Sequence, residues 1–133
     1  MKNLKYLDTN IILRYLLQDH HSLSQEATAI IENENIFIAN EVLAEVIYVL
    51  NKTYKVDKKE LSQTLIAFLY NENIYLLCKE VAIAALEYFS EKNIDFVDCL
   101  LCAYRKINSY EVISFDKNLV KCLKHNPDNS ENL

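Results

Sequence analysis

Four acidic residues border or interrupt apolar runs: Asp8 in KYLDTNIILRYLL, Glu45 in NEVLAEVIYVL, Asp98 in IDFVDCLLCAY and Asp116 in VISFDKNL. A carboxylate among packed aliphatic side chains gives up hydration, and is then paired, protonated or bound to a cation. Their spread along one chain suggests a single converging acidic pocket. Such a pocket suits Mg²⁺ or Mn²⁺, because these hard ions prefer carboxylate and water oxygens. A divalent ion there would lower the pKa of a coordinated water and neutralise charge at phosphorus, the chemistry of a metal-dependent phosphodiesterase.

Taken singly, most of these acids have a structural use. Asp8 and Asp116 stand where they can cap helices, and Asp98 lies in the first turn after Asp95, where a carboxylate favours the helix dipole. Asp95 itself reads as a cap before it reads as a reacting group. Glu45 is different. It falls mid-helix, and its neighbours three and four residues away (Glu41, Val42, Tyr48, Val49) offer no cation.

The elements that must position these acids follow from hydrophobic periodicity and capping residues. Short apolar strands are expected at 4–7, 36–39, 74–77 and 111–114. Helices are expected at 10–17, after a Ser22/Gln25 capping box, from Asn40 to about Tyr54, from an Asp57/Glu60 box to about Tyr70, at 79–92, from Asp95 to Arg105, and after Asp116. Strands alternating with helices indicate a parallel sheet covered on both faces. Ligands of such sheets sit beyond the carboxyl ends of the strands, which is where Asp8 and Asp116 would emerge.

Composition narrows the field. There is no glycine, and Pro127 is the only proline, so glycine-rich phosphate loops are excluded and tight turns fall to Asn and Asp. The net charge of −5 argues against gripping nucleic acid by bulk electrostatics. The arginines, Arg14 and Arg105, could hold a phosphate; lysines between 52 and 59 and between 117 and 124 read first as solvated faces. Cys99 and Cys102 have C-x-x-C spacing inside an apolar helical run, and buried small side chains are the expected role. No apolar stretch approaches membrane-spanning length and the start lacks a secretory core, so a cytoplasmic location is expected. One domain is expected over 1–124, followed by a loose polar tail at 125–133.

The segments LDTNIILRYLL, VLAEVIYVL, DFVDCLLCAY and ISFDKNL resemble, in order and spacing, the acidic motifs of PIN-domain nucleases, and the likeness runs over about residues 4–121. The stretches DTNIILRYLLQD and NEVLAEVIYVLNKTYKVDKKEL are similar to VapC-type toxins of toxin–antitoxin pairs. The resemblance implies a three-layer α/β/α fold with a short central parallel sheet of four to five strands. It implies that Asp8, Glu45, Asp98 and Asp116 are the catalytic quartet holding Mg²⁺ or Mn²⁺. Thr9 and Asn10 would orient the first acid, Ser114 would lie near the last, and Asp95 would be an accessory acid. Two departures, SFD for TFD and Cys99 for alanine, remove no metal ligand.

The implied activity is endoribonuclease cleavage by water, leaving a 5′-phosphate and a 3′-hydroxyl. None of His20, His21 and His125 is needed for it. The implied partners are RNA, a cognate VapB-like antitoxin and a second copy in a homodimer held by the early helices. Three other readings compete. A haloacid-dehalogenase-like phosphatase wants a second Asp where this chain has Asn10. A non-catalytic PIN-like module would be favoured by loss of one of the acids, all of which are present. A housekeeping RNA-processing nuclease shares the chemistry, but the short chain without an RNA-binding extension favours the toxin.

Overall fold

The computed structural model describes residues 3–124, so the expected tail at 125–133 lies outside the described residues. The chain divides into two compact units, one ending at Lys79 and the other beginning at Glu80.

The first unit carries the sheet. Strand β1 (Leu4–Tyr6) leads into helix α1 (Thr9–Leu17), then α2 (His21–Asn33), β2 (Asn35–Phe37), α3 (Asn40–Tyr48), α4 (Lys58–Leu69) and β3 (Ile74–Tyr75). The strands run parallel in the order β1-β2-β3, with Lys5 opposite Ile36 and Ile36 opposite Ile74. Ile36, Ile38 and Ile74 are buried, as β-branched residues of a short covered sheet should be. Helices α1 and α2 pack together, and α1 also packs on α3. Leu43, Val46 and Ile47 of α3 and Leu61, Leu65 and Leu69 of α4 are buried, each set at helical spacing.

The second unit is helical. It comprises α5 (Lys79–Glu91), α6 (Phe96–Asn108) and α7 (Lys117–Lys124). Phe89 of α5 meets Phe96 of α6 edge to face at 6.1 Å. The sulfurs of Cys102 on α6 and Cys122 on α7 are joined in a disulfide, so these two cysteines are a cross-link and not merely small apolar filler. Cys99 is the buried free thiol that the apolar reading describes.

The fold is α/β with helices dominant, but only three strands form among the described residues where four to five were expected. Residues 111–114 are not a strand, and Ile113 is 86% exposed. A short apolar run marks a possible strand, and only a hydrogen-bonded partner makes it one.

Other differences are local. His20, not Ser22, caps α2: its Nδ1 accepts from the Leu23 N–H at 3.2 Å. Ala39 takes the cap position of α3 without a side-chain bond, and beyond Tyr48 the helix widens into a π-helical turn, Val49–Thr53. The Tyr54 N–H there reaches back five residues to the Val49 carbonyl. Asp57 caps α4 as expected, accepting from the Lys59 and Glu60 N–H groups. Positive φ falls on Asn3, Gln18, Lys55 and Ser109, only one of them the Asn or Asp anticipated. Gln18 and Ser109 end α1 and α6 in the left-handed form that glycine would adopt at no steric cost.

Candidate active site

Each unit draws together acids that are far apart in sequence. In the first, Asp8 closes β1 and caps α1, its Oδ1 accepting from the Ile11 N–H at 3.3 Å. The extended backbone of Asp8 (φ −90°, ψ 173°) is the geometry a cap requires. Thr9, the next residue, donates its hydroxyl to Oε1 of Glu45 at 2.5 Å. This bond spans 36 residues and ties the middle of α3 to the β1–α1 junction, beside Asp8. It also supplies the partner that the neighbours of Glu45 along its own helix do not. Asn10 is exposed in the first turn of α1.

In the second unit, Asp116 caps α7, with Oδ1 accepting from the Leu119 N–H at 2.9 Å. The Asp116 N–H in turn donates to Ser114 Oγ at 3.0 Å, a local clasp that sets the carboxylate at the helix start. Asp98 lies in the first turn of α6 and is half-buried. Partial burial, then the neighbouring charges of Asp116 and Asp95, push its carboxyl above the usual carboxylate range. Asp95 occupies the cap position of α6, but its side chain makes no capping bond.

Asp8, Glu45, Asp95 and Asp116 are exposed, so the desolvation inferred from their apolar neighbours applies to Asp98 alone. An acid in an apolar stretch of sequence can still face water, because a helix turns its neighbours to other sides. Among the described residues, no three carboxylate, thiol or imidazole side chains are gathered tightly enough to enclose an ion as they stand. The donors nevertheless fit a hard divalent cation in kind. They are carboxylate oxygens, and Asp98, whose carboxyl is pushed up first by partial burial, also feels the negative charges of Asp116 and Asp95, which a cation would offset.

The arginines differ from one another. Arg14 pairs with Asp19 at 3.0 Å and donates to the Tyr54 hydroxyl at 3.3 Å, while its Nε is buried with no hydrogen-bond partner. Arg105 lines a hollow of about 680 Å³ in the second unit, together with Ser109, Ser114 and Lys124. Three lysines missed as a group by the sequence reading, Lys92, Lys121 and Lys124, line another hollow of the same unit. The lysine run in α7 was visible in the sequence; its meeting with Lys92, from the end of α5, was not.

The family model described as PIN domain matches residues 5–122, a span that includes every acid discussed above. A curated relative, "VapC ribonuclease" of Aquifex aeolicus (strain VF5), is 25% identical over 123 residues, covering 89% of this chain and 91% of its own. No solved structure matches the chain. No helix among the described residues is long and apolar enough to cross a membrane.

Proposed function

The chain belongs to the PIN-domain family, and from that premise we propose that it is a metal-dependent endoribonuclease serving as the toxin of a toxin–antitoxin pair. The observation that carries the reading is the Thr9–Glu45 bond, which brings a mid-helix carboxylate to the residue following Asp8. The matching pair in the second unit, Asp98 with Asp116, supports it through their mutual charge.

In this proposal Asp8, Glu45, Asp98 and Asp116 together hold Mg²⁺, with Mn²⁺ as the alternative ion. When bound, the ion supplies an activated water and offsets the charge at phosphorus. The chain's own residues do the holding. The first turn of α1 steadies Asp8, Thr9 steadies Glu45, and Ser114 fixes the backbone of Asp116. Water oxygen forms the new bond to phosphorus and the bond to the 3′ oxygen breaks. The proton passes to that leaving oxygen, leaving a 3′-hydroxyl and a 5′-phosphate. Arg105 is a phosphate contact in this scheme, and Arg14 is one only if it leaves Asp19.

The toxin assignment rests on the likeness to the VapC ribonuclease. With it come the proposed partners: RNA, a VapB-like antitoxin that blocks the acids, and a second copy in a homodimer. The test is cleavage of total RNA by the full chain freed of antitoxin, with Mg²⁺ or Mn²⁺, against EDTA and an Asp8→Asn variant. Discrete fragments with 5′-phosphate ends, lost with EDTA and in the variant, are expected. Folded protein that cleaves no RNA with either ion, or that cleaves it in EDTA, would overturn the reading.

A further inference from the structure

The net charge of −5 sets this chain against a polyanion, so an enzyme acting on RNA must gather positive charge locally. The second unit does so. A hollow of about 700 Å³ is lined by Lys92, Lys121 and Lys124 and by Asn93 and Asn118. Ile94 and Cys122 complete it, and no acidic residue contributes to its lining among the described residues. Asn118, Lys121 and Lys124 recur every three residues, so α7 presents them on one side, while Leu119 and Cys122 are buried.

Lys124 also lines the second hollow, with Arg105, Glu111 and Ser114, so the two hollows adjoin at that residue and the second carries two cationic side chains against one carboxylate. The far end of this path reaches Ser114, whose hydroxyl accepts from the Asp116 N–H. Asp116 caps the helix that carries two of the lysines, about 8 and 12 Å further along its axis at the α-helical rise. Lys92 and Lys106 lie over the ring of Tyr88 at 5.9 and 5.8 Å, a contact that favours both cations there.

We propose that Lys92, Lys121, Lys124 and Arg105 form a track for the phosphodiester backbone of single-stranded RNA, leading it to Asp98 and Asp116. The inference deepens the ribonuclease reading and rests on it for the identity of the polymer. Ammonium groups are point charges suited to phosphate, and carboxamides can donate to phosphate or ribose oxygens without reading a base. Two adjoining hollows exceed what one small anion needs, and the apolar edge at Ile94 and Cys122 can cover a ribose or base, which an acidic peptide lacks.

The test is binding of a fluorescently labelled single-stranded RNA to the full chain in EDTA, where no metal-dependent cleavage intervenes, over roughly 50 to 200 mM salt. Each phosphate contact on a single strand contributes about 0.7 to the slope of log affinity against log salt. Replacing Lys92, Lys121 and Lys124 together with glutamine should flatten that slope by about 2 and weaken binding at least tenfold at low salt. Arginine at the same three positions should restore both. Lys52→Gln, Lys55→Gln and Lys59→Gln together remove equal charge from the first unit and should leave both unchanged.

Equal loss in the two glutamine sets, or none in either, would overturn the track, as would tighter binding of polyglutamate than of RNA of equal charge. A dinucleotide, which carries a single phosphodiester and no chain to follow the track, separates this outcome from the nuclease reading. Equal cleavage of it by wild type and the Lys92/Lys121/Lys124 variant, beside lost binding of long RNA, supports the track. If wild type cleaves neither dinucleotide nor long RNA, the nuclease reading fails, and the salt slopes still decide the track.

Discussion

Replacing Thr9 with valine preserves the shape of the side chain and removes the hydroxyl that holds Glu45. A hydrogen bond to a charged acceptor contributes about 1.5–3 kcal/mol when shielded from water. Here Thr9 is half-buried and Glu45 exposed, so water replaces much of what is lost and the expected cost is about 1 kcal/mol. For a chain of this size that lowers Tm by about 4 °C. The consequence for activity follows from the same figure. If Glu45 occupies its working position less often by about 1 kcal/mol, kcat falls about fivefold with KM little changed. The assay is Mg²⁺-dependent cleavage of a labelled RNA by wild type, Thr9→Val, Thr9→Ser and Glu45→Gln, beside thermal melts of each. Serine should restore both the melt and the rate, because it restores the hydroxyl. A Thr9→Val enzyme at full rate while Glu45→Gln is inactive would refute the orienting role of Thr9. A Thr9→Ser variant as impaired as Thr9→Val would refute it too, by showing that the methyl packing and not the bond matters.

Two further outcomes are expected. The raised pKa of Asp98 means that the folded chain holds this proton more tightly than the unfolded one, so its ionisation opposes folding as pH rises through the carboxylate range. Asp98→Asn should therefore melt above wild type at neutral pH in EDTA, with the gap closing in acid; a gap that widens in acid would reverse the sign of the argument. The Cys102–Cys122 bond closes a loop with a sequence separation of 20, worth about 3 kcal/mol by chain entropy, and that loop contains Ser114 and Asp116. Reduction by a dithiol should lower the unfolding free energy by about that amount in denaturant titrations, and the accessible thiols of the denatured chain should rise from the free Cys78 and Cys99 to all four. Four thiols before reduction would show that the cross-link does not form.

What could be read from the residues alone is what one or two turns of chain can encode. Asp57 ahead of Lys-Lys-Glu caps α4 because side chain and N–H groups lie within three residues of each other. The alternation of short β-branched runs with amphipathic stretches announces an α/β chain with parallel strands, and the acids stand out by type against their apolar neighbours. Tertiary structure decided whatever depends on a partner far along the chain. Residues 111–114 have the composition of a strand but do not form one. The acceptor of the Thr9 hydroxyl lies 36 residues away, and the charge that helps burial lift Asp98 comes partly from Asp116, beyond the end of α6 in sequence. Cys122, 20 residues beyond Cys102, turns a spacing that favoured buried thiols into a cross-link. Lys92 joins Lys121 and Lys124 only because α5 and α7 bring their ends to one hollow. Periodicity and capping are short-range and written in order along the chain; charge, hydrogen bonding and disulfide formation act through space, and distance in space is known only once the helices are packed.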